Sequence, residues 1–178
     1  MEYVIKPLDS VGHTRSSLKK LQFDSGKDQL DNYIKQYAWI NHQDKRSARV
    51  FVACSTQNFR EIKGYYTSSA SEISIEAILE ESRRGFPNKL PALLIGRLAV
   101  DRSSQSLGIG KKLLRHAFEC AVEIADKTGI YAVYTQAKDE EAKRYYLKRG
   151  FIEFQDKPLS LFLPIETIKQ AIANQKKT

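Results

Sequence analysis

The chain has 178 residues, 42% hydrophobic and 28% charged, with no low-complexity run, so residues 1–178 read as one domain with a substantial buried core. Its net charge of +8 points to an anionic partner. Apolar stretches such as Pro91–Gly96 are too short to span a bilayer, and the first residues lack a basic region followed by an apolar one, so neither a membrane span nor a secretory signal is expected.

In chain order, Tyr3–Lys6 reads as a strand. Residues 24–43 read as a helix, with Leu30, Tyr33, Ile34, Tyr37 and Ile40 at helical spacing and Ser25 as its cap. Arg49–Ser55 and Ile62–Ala70 follow as adjacent strands joined by a turn. Ser74–Arg84 is expected to form a short helix or an irregular arm, acidic first and basic later, ended by Gly85 and Pro87. Ala92–Val100 is a nearly continuous apolar run, as in a central buried strand. A glycine-containing turn leads into a helix over residues 111–129. Its apolar face holds Leu113, Leu114, Ala117, Phe118, Ala121, Val122 and Ala125, with Gly129 as the stop. Ile130–Ala137 is a strand rich in β-branched and aromatic residues. Asp139–Gly150 is a helix with acids first and bases last, and Phe151–Asp156 and Leu159–Glu166 close as strands. This order predicts an α/β domain with a mixed sheet flanked by helices.

The charge is concentrated. Residues 82–118 hold Arg83, Arg84, Lys89, Arg97, Arg102, Lys111, Lys112 and Arg115 against Asp101 alone, a net +7. A second cluster contributes Lys143, Arg144, Lys148 and Arg149 without an intervening acid. Either group could be a solvated face or a set of phosphate contacts. Arg97, embedded in the apolar strand, is the cation least suited to an idle surface role. Cys54 and Cys120 have no metal-ligand spacing and are expected to be reduced, structural and consistent with a cytoplasmic protein without a metal site.

The turn Gln105–Lys112 reads QSLGIGKK and sits between a strand and a helix. Amides of a first helical turn lack intrahelical acceptors, and the helix dipole makes that end positive. Leu107, Gly108, Ile109, Gly110 and Lys111 would supply such amides, and the glycines let a phosphate approach the backbone. A dinucleotide fingerprint is excluded by the missing third glycine, and a nucleoside-triphosphate loop by Lys112 preceding Leu113 rather than Ser or Thr.

Residues 94–118 resemble the coenzyme A segment of the GCN5-related N-acetyltransferases (GNAT). Gln105, Gly108 and Gly110 meet the pattern Gln/Arg-x-x-Gly-x-Gly/Ala after the Val100-Asp101 step. Ala142–Phe151 resembles the family's second marker, A-x-x-F/Y-Y-x-x-x-G-F. From about Phe23 to Ile168 the chain is also similar to the acetyltransferase toxins of toxin–antitoxin modules, the TacT-like group. It departs from them at Ser106-Leu107, where Gly-Arg or Gly-Lys is usual, and at Ser25, often Cys.

The resemblance implies a GNAT fold: a central, mostly antiparallel twisted sheet, flanked by helices, with splayed central strands holding coenzyme A. It implies direct attack of an amine on acetyl-CoA. Leu98, Ala99, Val100, Gln105, Ser106 and the Leu107–Lys111 turn would bind the coenzyme. The Val100 N–H would lie near the thioester carbonyl. Tyr146 would act as general acid towards the departing thiolate, with helix packing as its competing role. No residue stands out as base: His13, His42 and His116 are scattered, and Asp139, Glu140 and Glu141 more simply complement a helix N-terminus.

An α-amine titrates near pH 8 and a lysine amine near 10.4, so a missing base favours the α-amine. Aminoacyl-tRNA joins an α-amine to a polyanion and is the acceptor the resemblance implies. Arg83, Arg84, Lys89, Arg97, Lys143, Arg144, Lys148 and Arg149 are its expected phosphate contacts. A ribbon–helix–helix antitoxin and a homodimer are the implied protein partners. A protein lysine, polyamine or antibiotic as acceptor, and a non-catalytic nucleic-acid or regulatory module, are the alternatives.

Overall fold

The computed structural model describes residues 2–175. Its strands are β1 (Tyr3–Pro7), β2 (Arg49–Ser55), β3 (Ile62–Ser74), β4 (Lys89–Val100), β5 (Ala132–Gln136), β6 (Ile152–Glu153) and β7 (Ser160–Pro164). They form a seven-stranded sheet in the order β1-β2-β3-β4-β5-β7-β6. Pairing is antiparallel for β1/β2, β2/β3, β5/β7 and β6/β7, and parallel for β4/β5. The parallel register runs from Ala92↔Ala132 to Ile95↔Thr135, and β4 continues beyond it to Val100. The helices are α1 (Arg15–Lys19), α2 (Asp28–Asn32), α3 (Ile109–Ala125), α4 (Glu140–Leu147) and α5 (Ile165–Gln175). This is the expected mixed, mostly antiparallel sheet flanked by helices.

The chain divides into two compact units, residues 1–69 with 96–117 and residues 70–95 with 118–178. In the first, β1 and β2 pack with α1 and α2 around Leu18, Ile34, Val52 and Tyr65, all at most 1% exposed. The start of α3 lies against β3. A Cβ at Gly64 would sit 3.0 Å from the Ala99 carbonyl oxygen and 3.0–3.1 Å from Leu113 and Ile109 side-chain carbons, so any larger residue would push these neighbours apart. Ile109, Leu113, Leu114 and Ala117 are buried along α3, on the face the periodicity predicts.

In the second unit, Leu90, Ala132, Phe154 and Phe162 form the core. Asp139 caps α4, its Oδ1 accepting the Ala142 N–H at 2.9 Å. Past the end of α4, Gly150 adopts a positive φ of 86° while its N–H donates to the Leu147 carbonyl at 3.0 Å. The capping role of the acidic start of α4 is thus the one the structure assigns to Asp139.

Three local expectations are corrected, and a fourth is resolved between its alternatives. Ser25 does not cap residues 24–43: α2 starts at Asp28 after Lys27, without a side-chain cap. The Ser25 hydroxyl instead donates to Asp31 Oδ1 at 2.6 Å, and that oxygen also accepts the Ser25 N–H at 2.8 Å. Beyond Asn32 the helix passes through π-helical turns at Tyr33–Tyr37 and Ile40–Asp44, whose extra residues per turn shift its apolar stripe off the 3.6 period. The Ser74–Arg84 arm is two 3-10 turns, Ile75–Ala77 and Glu80–Ser82. Finally, β7 stops at Pro164. Ile165, Ile168 and Ile172 recur at helical spacing with Glu166 in the first turn, and the end expected as strand opens α5.

Among the described residues, no helix is long and apolar enough to cross a membrane.

Candidate active site

The first unit holds the end of β4 and the glycine turn. Asp101 follows the strand and is 8% exposed. Its N–H donates to the Lys63 carbonyl at 2.9 Å. Its Oδ1 accepts the Ser103 N–H at 3.0 Å and the Ser103 hydroxyl, and its Oδ2 accepts the Asp24 N–H at 3.0 Å. Burial alone would raise the Asp101 pKa. The hydrogen bonds from Ser103 and Asp24, with Lys63 nearby, outweigh it and hold the carboxylate below its usual range. Gln105 Nε2 donates to the Val100 carbonyl at 3.1 Å and to the Ser25 carbonyl at 3.2 Å, and the Arg102 N–H donates to the Asp24 carbonyl at 2.7 Å. The segment Val100–Gln105 is therefore latched to the Asp24–Ser25 loop. The Gln105 side chain, expected to help hold coenzyme, is turned to these two carbonyls.

The turn itself uses two left-handed residues, Ser106 (φ 68°) and Gly108 (φ 76°). The Leu107 N–H reaches the Ser104 carbonyl at 3.4 Å, so this amide is partly spent inside the turn. Lys112 N–H closes the first helical turn on the Gly108 carbonyl at 3.1 Å. The N–H groups of Ile109, Gly110 and Lys111 precede that bond at the positive end of a 17-residue helix. A Cβ at Gly108 would meet nothing within 4 Å, so the approach to this turn is open. Ile109 is buried and anchors it, whereas Leu107, Lys111 and Lys112 are exposed. Amides at a helix N-terminus, open space and nearby cations are the features a phosphate group requires.

Leu98, Ala99 and Val100 occupy the last residues of β4, with Ala99 in the core of the first unit. Arg97, on the face shared with Ala99, places its guanidinium carbon 4.0 Å from the centre of the Tyr33 ring.

In the second unit, Tyr146 is 7% exposed, and its phenol is partnered by the Thr135 hydroxyl. Thr135 Oγ1 in turn donates to the Ile95 carbonyl at 2.9 Å. Burial pushes the Tyr146 phenol up to about 12, against a smaller lowering by Thr135. Tyr145 lies under Arg149, whose guanidinium carbon is 3.3 Å from the ring centre.

The expected phosphate-contacting cations divide. Arg83 donates to the Ile78 and Glu76 carbonyls at 3.0 and 3.1 Å and folds its own arm. Lys89 pairs with Glu72, and Lys143 with Glu153 at 2.8 Å. Arg149 donates to the Tyr145 carbonyl at 2.6 Å. Arg84, Arg144 and Lys148 are exposed.

The three histidines serve the fold. His13 Nε2 donates to the Arg60 carbonyl, His42 accepts the Val50 N–H, and His116 bonds the Tyr66 hydroxyl at 2.8 Å beside Phe51. The sequence reading missed the Asp101–Asp24 latch and the Tyr33 platform. The Val-Asp step was its one visible sign, because the partner lies 77 residues away.

A family model described as an acetyltransferase (GNAT) domain matches residues 46–153. The chain belongs to the GNAT acetyltransferase family. This acetyltransferase is 32% identical to a tRNA-acetylating toxin of Mycobacterium tuberculosis (strain ATCC 25618 / H37Rv) over 152 residues, 85% of this chain and 89% of the relative. It is similar to the structure of AtaT complexed with acetyl-methionyl-tRNAfMet, with TM-score 0.85 and 26% identity over 96% of this chain and 99% of that one. It is also similar to a Tyr-to-Phe variant of the AtaT toxin bound to the C-terminus of the antitoxin AtaR and acetyl-CoA, with TM-score 0.78 and 26% identity over 97% and 99% of the two chains.

Proposed function

We propose that this acetyltransferase is a toxin that transfers the acetyl group of acetyl-CoA to the α-amine of aminoacyl-tRNA and thereby blocks translation. The observation that carries this reading is its near full-length similarity to a tRNA-acetylating toxin. The fold it shares with AtaT, captured with an acetylated methionyl-tRNA, supports it.

The residues fit the chemistry. The Ile109–Lys111 amides, with Lys111 and Lys112, bind the coenzyme pyrophosphate. The Val100 N–H stabilises negative charge on the thioester oxygen as the amine nitrogen attacks the carbonyl carbon. The new C–N bond forms, the C–S bond breaks, and a proton lost by nitrogen offsets the charge left on sulfur. Tyr146 stays protonated at neutral pH and acts as donor to that sulfur.

The acceptor follows from the same residues. All three histidines are hydrogen-bonded to protein groups, which fits a reaction that uses no imidazole base. At neutral pH about one lysine amine in a thousand is uncharged, against a tenth or more of α-amines. An α-amine reacts without a base, which disfavours lysines and polyamines. The net +8 suits a polyanionic carrier, with Arg84, Arg144 and Lys148 as its exposed phosphate contacts. A ribbon–helix–helix antitoxin restrains the enzyme, which works as a homodimer in the cytoplasm and needs no metal.

Cell-free translation is the test. Catalytic amounts of protein should stop synthesis only when acetyl-CoA is present, and fresh aminoacyl-tRNA should restore it briefly. Arrest without acetyl-CoA would point to the non-catalytic reading.

A further inference from the structure

We infer that Arg97, immobilised on Tyr33, is a stacking subsite for the 3′-terminal nucleobase of the acceptor, so that the enzyme reads its substrate as a nucleoside bearing an α-amine. The inference rests on the acceptor assignment above and adds to it which part of the RNA is recognised at this position.

The platform is built in layers. Phe23 packs on Tyr65 at 5.8 Å, and Tyr65 stacks on Tyr33 at 6.0 Å with an interplanar angle of 20°. The Tyr65 hydroxyl is fixed to the Leu30 carbonyl at 2.8 Å, and the Tyr33 hydroxyl accepts from Asn41 at 3.3 Å. Arg97 lies over the last ring at 4.0 Å. Both tyrosines are buried, yet Arg97 is exposed, and no carboxylate pairs with it among the described residues. One face of the guanidinium is thus held by an aromatic ring, while the residue as a whole is exposed. A guanidinium in this state is a flat, pre-ordered surface on which a base can stack.

Its position supports the assignment. Arg97 precedes Val100 by three residues in the same strand, about 10 Å at the usual rise. In the proposed function both residues then lie on the segment of β4 that the acceptor approaches. A phosphate contact would use the guanidinium edge and would depend on charge alone, whereas stacking depends on the planar group.

The test compares three acceptors: charged tRNA, 3′-aminoacylamino-3′-deoxyadenosine, and the same aminoacyl ribose without its base. The wild-type enzyme should prefer the adenosine compound to the abasic one roughly 5- to 100-fold in kcat/KM, the range of one base stack. Arg97→Ala and Arg97→Lys should both lose this preference, and thermal melts matching the wild type show that the variants are folded. The salt dependence of KM for charged tRNA should be the same in Arg97→Lys and wild type. A preference retained in Arg97→Lys, or absent from the wild type while charged tRNA is still acetylated, overturns the stacking subsite. No acetylation of any of the three acceptors overturns the acceptor assignment itself.

Discussion

Replacing Tyr146 by Phe separates two ways in which a tyrosine can help a thiolate leave. Burial pushes this phenol up to about 12. Complete transfer of its proton to a thiolate of ordinary basicity, near 8.5, is then uphill by on the order of 5 kcal/mol. In the proposed mechanism the phenol therefore remains neutral and donates a hydrogen bond to the sulfur. A hydrogen bond to a charged group is worth about 1.5–3 kcal/mol, so Tyr146→Phe should lower kcat roughly 10- to 150-fold. KM for acetyl-CoA should hardly move. The fold should survive, because Thr135 keeps its bond to the Ile95 carbonyl. The loss of one phenol hydrogen bond costs about 1 kcal/mol, or a Tm shift of about 2–4 °C for a chain of this size. Steady-state kinetics on charged tRNA, paired with a thermal melt, provide the measurement. An unchanged kcat would refute any role for Tyr146 at the sulfur, and a loss beyond about a thousandfold would refute donation in favour of full proton transfer.

Gly108→Ala places a methyl group where nothing now lies within 4 Å, on a backbone with φ 76°. It should cost about 1–2 kcal/mol of stability and raise KM for acetyl-CoA by tenfold or more, as thermal melts and initial rates would report. Ser106→Gly relieves the left-handed strain at φ 68° and should raise stability by up to about 1 kcal/mol. Adding Leu107→Arg should tighten acetyl-CoA binding and make it salt-sensitive in calorimetric titrations. His42 is fully buried; burial and then Arg49 lower its pKa, against a raising by Asp9. Its contribution to stability is therefore complete above the unfolded value near 6.5 and is lost as pH falls from there through the folded value. Denaturant midpoints should drop between pH 7 and 5, and less steeply in His42→Gln. Arg144→Gln and Lys148→Gln should each reduce the salt slope of charged-tRNA binding by about one, whereas Lys143→Gln, which breaks the pair with Glu153, should do less.

The sheet, α3, α4 and the glycine turn were legible because each has a local signature. β4 is an apolar run, α3 an amphipathic repeat, and α4 a capped helix ending at Gly150. Glycine at 108 and Ser106 mark a turn whose left-handed backbone is visible only once φ is known. The latch could not be read in advance, because an Asp at a helix entry looks like a cap, and its second oxygen reaches Asp24 only in the folded chain. Gln105 is expected at the coenzyme by its place in the motif, and its amide side chain also bridges two protein carbonyls that local sequence does not reveal. Arg97 stood out as a cation within an apolar strand, but its platform depends on Tyr33, carried by a helix whose π-helical turns the 3.6 period does not anticipate. Half of the expected phosphate contacts proved to be engaged by protein groups, because the acids and carbonyls that pair with them are supplied by neighbouring strands and turns.

The central claim is tested most directly by labelled acetyl transfer. Purified protein, acetyl-CoA with a radiolabelled acetyl group and a full set of charged tRNAs are incubated together, with deacylated tRNA as control. The account predicts label in charged tRNA alone, released by mild base as N-acetyl amino acid. Label confined to lysines or small amines, or absent from every charged tRNA, would contradict it.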